Sequence, residues 1–107
     1  MLTYADAEKI ALKHLDGIAE AAPCGPLTLL HEHTLTKPYG WVFFYQSRGF
    51  VETKDKRSRL SGNYPFLIDR FDERVISLGP LFREDIAEYE KDLPAERLVA
   101  EVESPPR

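Results

Sequence analysis

A chain of 107 residues with 43% hydrophobic and 30% charged residues has the composition of one ordinary globular domain. The net charge of −4 argues against nucleic acid as the partner, and no apolar run approaches the roughly 20 residues that span a bilayer. The single Cys24 excludes an intramolecular disulfide. Since the N-terminus shows no secretory signal, we expect a cytoplasmic protein.

The first predicted element is an amphipathic helix over residues 3–20. Thr3 is placed to cap its N-terminus, and the prolines and glycine of residues 23–26 end it. One face carries side chains at the i, i+3, i+4 spacing of a helix packed on a core, namely Ala7, Ile10, Ala11, His14, Leu15 and Ile18.

Two strands are predicted next, over residues 27–35 and 41–46, with the turn sequence TKPYG between them. The second strand is apolar on both faces, with Trp41, Phe43 and Tyr45 on one and Val42 and Phe44 on the other. A strand without a polar face is typical of a sheet covered on both sides. The alternative is that its aromatic side chains form a binding surface. Gly49 is predicted as a bulge, with residues 50–53 extended.

After a charged excursion over residues 53–63, strands at 64–68 and 75–78 form a predicted hairpin around the turn DRFDE. Apolar side chains then recur every three or four residues over 82–93, which predicts a helix ended by Pro94. Together these elements predict an α+β fold: an antiparallel sheet of about four strands with the N-terminal helix on one face and the C-terminal helix at an edge or end. Residues 1–93 form the domain, and residues 94–107 a charged, flexible tail.

The sequence HEH is the most enzyme-like feature. On a strand, His31 and His33 share a face and could hold a metal ion, with His14 as a third ligand. The structural interpretation is favoured, because His-x-His without another close ligand lacks the spacing of known zinc sites. Cys24, in APCGP, has no base nearby in the sequence and is interpreted as structural.

Two stretches leave a structural and a functional interpretation open. In LSGNYPFLID, Gly62 and Asn63 suit a tight turn, and the same turn could present Tyr64 to a partner. The charges are also unevenly spread: residues 48–59 carry five basic side chains against two acidic ones, and residues 84–103 carry eight acidic against two basic ones. Either segment is a solvated surface or attracts a partner of opposite charge.

The segments GWVFFYQSRGFVET and RLSGNYPFLIDRFDERVISLG, followed by the helical EDIAEYEKD, resemble the YrhB-like family, also called immunity protein 35. The likeness covers roughly residues 3–92, and Pro80 departs from the pattern at the start of the last helix. The shared residues are interpreted as mainly structural. They are Gly40-Trp41, residues 43–46, Glu52-Thr53, Leu60, Gly62-Asn63, Pro65, Ile68-Asp69, Leu78-Gly79 and Tyr89-Glu90.

The resemblance implies a cytoplasmic, non-enzymatic bacterial protein of a polymorphic toxin system, which binds a cognate protein toxin and neutralises it by steric occlusion. We expect no cofactor, no metal, and no nucleic acid or membrane as a partner. The alternatives are a peptide-binding or chaperone-like module that uses the aromatic face, and a small metal-dependent enzyme built on His31 and His33. The candidate contact residues are Trp41, Tyr45, Arg48, Tyr64 and, on an acidic helix steering toward a basic toxin, Glu84, Asp85 and Glu88.

Overall fold

The computed structural model describes residues 1–21 and 25–101, so Cys24 and the last six residues of the predicted tail lie outside the described chain. The elements in chain order are α1 (Tyr4–Ala21), β1 (Leu27–Leu29), a 3₁₀ turn (His31–His33), β2 (Leu35–Lys37), β3 (Gly40–Phe43), β4 (Tyr45–Ser47), α2 (Arg48–Thr53), a second 3₁₀ turn (Lys56–Ser58), β5 (Phe66–Asp69), β6 (Val75–Ser77), α3 (Phe82–Lys91) and α4 (Ala95–Leu98).

The strands form a four-stranded antiparallel sheet in the order β2-β3-β5-β6, and β1 pairs with β4 in a separate two-stranded ladder. The predicted α+β class is confirmed. The predicted hairpin is present as β5 and β6, and Pro65 lies just before β5, where its missing N–H interrupts no ladder bond.

Both faces of β3 are covered by a helix. On one face, Trp41 and Phe43 belong to a core that includes Ala11 of α1, and on the other Val42 packs in a cluster with Ile86 of α3. Double coverage explains why residues 41–43 lack a polar face. The prediction of one strand over residues 41–46 was wrong at its end, because residues 45 and 46 belong to β4, which pairs with β1 in the other ladder. The placement of the second helix at an edge or end was wrong. The apolar row of α3 needs an apolar surface to bury against, and the second face of the sheet supplies it.

The predicted strand over residues 27–35 is interrupted by a 3₁₀ turn. Leu29 pairs with Tyr45 in one ladder, and Leu35 pairs with Val42 in the other. The segment from Leu29 to Leu35 is three residues longer than the segment from Val42 to Tyr45 that it faces. The three extra residues loop out as the exposed turn His31–His33. The prediction that His31 and His33 share a strand face was therefore wrong.

Residues 50–53, predicted to be extended after a bulge, form most of α2 instead. Ser47 caps this helix, because its hydroxyl oxygen accepts from the Phe50 N–H at 3.0 Å. At the other end Lys54 adopts φ 60° and its N–H bonds to the Phe50 carbonyl, so it takes the left-handed position that glycine often fills.

Helix α3 is fastened to the sheet by two tyrosine–carboxylate hydrogen bonds. The Tyr39 hydroxyl donates to Oε2 of Glu90 at 2.6 Å, and the Tyr89 hydroxyl donates to Oδ2 of the fully buried Asp69. Oδ1 of Asp69 accepts from the Phe71 N–H at 2.8 Å, which closes the β5–β6 turn. Burial, reinforced by the hydrogen-bonded carboxylates, raises the pKa of both tyrosines, so at neutral pH they act as neutral donors.

The first part of the predicted tail contacts the β5–β6 turn. The Arg97 guanidinium of α4 lies 4.9 Å from the centre of the Phe71 ring and 3.9 Å from the Asp72 carboxylate. The Arg70 side chain donates to the Glu101 carbonyl at 2.5 Å. Residues 95–101 are thus held by contacts to a single turn of the domain.

Candidate partner-binding surface

The seven candidate contact residues fall into three groups. Trp41 is fully buried, and its ring packs edge-on against Tyr4 of α1 at a centroid distance of 5.8 Å. Tyr45 is 8% exposed and packs against Phe66. Both rings belong to the core, so neither is available as a surface anchor. Aromatic side chains on a strand covered on both faces are buried whichever way they point.

Arg48 and Tyr64 form the second group, and both are at the surface. Arg48 is exposed at the start of α2, and Tyr64 is 46% exposed just before β5. Arg48 directly follows β4 and is the first of the basic residues 48–59, here called the basic loop, and Tyr64 follows this loop in the chain.

The acidic side chains form the third group, exposed along α3. Oδ2 of Asp85 accepts from the Gly79 N–H at 2.8 Å, and Glu88 pairs with Lys91 at 2.7 Å. Two of the three are therefore engaged within the protein, and all three lie on an element separate from the basic loop.

Residues 45–63 build a continuous surface, here named the basic platform: β4, α2, the second 3₁₀ turn and the segment that leads toward β5. Its main support is the buried side chain of Gln46. Oε1 of Gln46 accepts from the Ser47 N–H at 2.8 Å and from the Leu60 N–H at 2.7 Å. One amide oxygen thus ties a loop without strand pairing to the end of β4.

Two further side chains complete this support. The Ser47 hydroxyl caps α2 and also donates to the Ser58 carbonyl at 2.5 Å. The Asn63 amide donates to the Tyr45 carbonyl at 2.7 Å, and Gly62 next to it has φ 74°, a conformation that favours glycine. All three residues of β4 therefore hold the loop through a side chain or a carbonyl.

The basic side chains of the platform have few internal partners. Arg57 forms an ion pair with Asp55 at 3.2 Å, and that pair lowers the pKa of the Asp55 carboxyl. Lys54 and Arg59 lie 5.9 and 5.8 Å from the centre of the Phe50 ring, within cation–π distance. In the described chain, no carboxylate forms an ion pair with Arg48 or Lys56, nor with these two cations.

Two open depressions mark the platform. One of about 340 Å³ is lined by Pro26, Ser47, Gly49, Arg57, Ser58, Arg59 and Leu60. The other, of about 430 Å³, is lined by Lys56, Arg59, Leu60, Ser61, Gly62 and Asn63. Arg59 and Leu60 line both depressions, so the two adjoin each other and share a basic side chain.

The three histidines are held in different surroundings. The His31 ring lies 3.3 Å from the Tyr4 hydroxyl, whereas the His33 ring lies near Phe44. His14 packs against Phe66 at 4.5 Å between ring centres, and burial lowers its pKa. Over residues 1–21 and 25–101, no three His, Cys, Asp or Glu side chains come together as a metal site would require.

Comparison with known proteins identifies the family. The model of immunity protein 35 matches residues 5–92, which include both helical layers, the whole sheet and the basic platform. The chain belongs to the immunity protein 35 family. Among curated proteins, this family member is similar to the uncharacterized protein YrhB of Escherichia coli strain K12, with 38% identity over 79 residues that cover 74% of this chain and 77% of the relative.

No solved structure matches this immunity protein 35 member significantly. In the described part of the chain, none of the helices combines the length and apolarity needed to cross a membrane.

Sequence reasoning missed the residues that shape the platform: Gln46, Ser47 and Asn63. A signal was present for Gln46, because a polar side chain on a strand predicted to be covered on both faces must find hydrogen-bond partners inside the protein. Serine is a favoured N-cap residue, so Ser47 was a possible signal for α2. Phe50, however, stands at the position where a capping box has glutamate or glutamine, so the helix start was not recognised.

Proposed function

We propose that this protein is an immunity protein of a bacterial polymorphic toxin system, which binds one cognate toxin in the cytoplasm and neutralises it by steric occlusion without catalysis. Membership of the immunity protein 35 family carries this proposal. The structure adds support, since a sheet covered on both faces and a loop fastened by buried side chains offer a preformed surface. Such a surface binds with little loss of conformational entropy.

Occlusion requires a stable interface of ordinary size, about 800 Å² on each partner with a few buried anchors. Exposed Arg48 and Tyr64 remain candidate anchors, whereas Trp41 and Tyr45 lie in the core. Glu84, Asp85 and Glu88 remain a candidate steering surface on α3.

The peptide-binding alternative depends on exposed aromatic side chains along residues 41–46. The structure buries Trp41, Phe43 and Tyr45, and it half-buries Phe44 against Phe82. The enzyme alternative depends on His31 and His33 acting together from one strand face, whereas both occupy an exposed 3₁₀ turn. Neither alternative gains a specific observation from the structure.

Co-expression tests the proposal. The toxin domain encoded beside this gene is expressed in bacteria with and without the immunity protein, and growth is measured. We expect full rescue of growth and a stoichiometric complex by gel filtration. A toxin domain of another subtype serves as the control and should remain toxic, since an immunity protein binds one partner and not its relatives. Absence of both complex and rescue would reject the proposal.

A further inference from the structure

We infer that the basic platform, residues 45–63, is the surface that recognises the toxin, and that the toxin's contact patch is an acidic protein surface. This inference rests on the proposed function and specifies which face carries it out. The alternative is the expected basic toxin steered by α3, and the experiment below distinguishes the two.

The first observation is the segregation of charge. The platform carries five basic and two acidic side chains, whereas the rest of the chain carries nine basic and sixteen acidic ones. A cationic region on an otherwise acidic protein orients an approaching partner, because its acidic patch is attracted to one face and repelled by the others.

The second observation is that four of the platform's five basic side chains, all but Arg57, form no ion pair with a carboxylate of the described residues. Arg48 and Lys56 have no carboxylate partner there, and Lys54 and Arg59 contact only the Phe50 ring among charged or aromatic groups. Covering such charges in an interface removes their water, which is unfavourable unless the partner supplies opposite charges. A partner that seals this face therefore has to bring carboxylates. Arginine, with its planar fork of donors, suits carboxylates in particular.

The third observation is that hydrogen bonds to side chains of the protein hold the backbone of the loop that carries the basic residues. The Leu60 N–H is bonded to Gln46, the Ser58 carbonyl to Ser47, and Asn63 to the Tyr45 carbonyl. A loop already held in one conformation loses little entropy on binding, so its charges contribute to affinity as well as to encounter.

The fourth observation is a partly apolar centre. The half-buried Phe50 ring has the charged groups of Lys54 and Arg59 within 6 Å of its centre, and Leu60 lines both depressions. Tight interfaces pair a small apolar or aromatic centre with a polar rim. This arrangement fits a folded acidic protein better than a polyphosphate backbone, which has no apolar surface to cover Phe50 and Leu60.

Matched charge reversals test the inference. One variant carries Arg48→Glu and Arg59→Glu on the platform, and the other carries Glu84→Lys and Glu88→Lys on α3, so each reverses two exposed charges. Affinity and association rate are measured against the toxin domain encoded beside this gene, at about 50 and about 300 mM salt. Circular dichroism and thermal melting confirm that both variants fold.

We expect the platform variant to lose about 100-fold or more in affinity, with a slower association rate, and the α3 variant to change by less than about threefold. Wild-type association should slow as salt rises. A platform variant that binds as wild type does, or a large loss confined to the α3 variant, overturns the inference but leaves the proposed function standing. Wild-type protein that does not bind the toxin domain overturns both. Tighter binding of wild-type protein to a 20-base-pair DNA duplex overturns the choice of an acidic protein.

Discussion

Gly40 occupies a position that only glycine can fill. Its φ is 157°, and a Cβ built on it would lie 2.0 Å from the Ile68 carbonyl oxygen on β5. The two strands therefore approach so closely that the hydrogen-bonded register of β3 with β5 depends on this residue. Gly40 is also the first residue of the family pattern, which gives that pattern a physical meaning.

We predict that Gly40→Ala destabilises the fold by about 3 kcal/mol or more, since the substitution adds backbone strain and a clash with main-chain atoms that cannot move aside. Urea denaturation measures the change in the free energy of unfolding. Gly17→Ala is the matched control, because Gly17 lies in α1, and outside its chain neighbours and the nearby helix backbone no atom lies within 4 Å of an added Cβ. The control should raise stability by up to about 1 kcal/mol. Equal stability of the two variants would contradict the account of β3.

Other residues of the family pattern also have structural partners. Asp69 and Glu90 bind the hydroxyls of Tyr89 and Tyr39, Asn63 holds the Tyr45 carbonyl, and the Gly79 N–H bonds to a side chain of α3. In this chain, these residues of the pattern therefore serve to hold the fold together. Residues 48 and 54–59, which carry the charges of the platform, stand largely outside it.

The loop of the platform is not paired with any strand. The Gln46 side chain holds it in place of a strand ladder, through hydrogen bonds to the backbone. We predict that Gln46→Met, which keeps the length of the side chain but removes the acceptor, destabilises the protein by about 2 kcal/mol because the Leu60 and Ser47 N–H groups lose their partner. Hydrogen exchange of residues 58–63 should accelerate.

Gln46→Glu is the control for that substitution, since it retains an acceptor oxygen at the same place. Its exchange rates at residues 58–63 should stay close to those of the wild type. If Met and Glu accelerate exchange equally, the loop is held by something other than the Gln46 oxygen.

How far the elements could be predicted depended on whether a regular period marked them. The spacing in α1 and α3 predicted the two helices, and the apolar faces of residues 41–43 predicted the doubly covered strand β3. The break at Phe44, after which residues 45 and 46 belong to β4 in the other ladder, was not predicted. The turn at His31–His33 could not be predicted, because three inserted residues do not visibly disturb the alternation of polar and apolar side chains along residues 27–35. Helix α2 was missed because three of its six residues, Phe50, Val51 and Thr53, favour a strand by propensity. The Ser47 cap supports the helix against that preference.

The candidate contact residues stay predictions, and the structure gives their exposure. Arg48 and Tyr64 lie at the surface, whereas Trp41 and Tyr45, chosen for their residue type, are buried. The charge of residues 48–59 was visible in the sequence. The hydrogen bonds of Gln46 and Asn63 that hold this segment were not visible in the sequence, because each joins residues fourteen or more positions apart.

The molecule consists of a sheet covered on both faces and a basic platform held against it by hydrogen bonds. The rest of the chain is acidic. Such a molecule should bind as a preformed body, with little change in its backbone. Binding should then protect one surface and leave the amides of the sheet as they were.

Hydrogen exchange of the protein alone and in complex with its toxin domain, followed by mass spectrometry, tests this claim most directly. The account predicts slower exchange confined to residues 45–63, with unchanged exchange in β3, β5 and α3. Protection centred on α3 would place the contact on the acidic face, and protection spread through the sheet would show that the protein rearranges on binding. Either result would contradict a preformed basic docking surface.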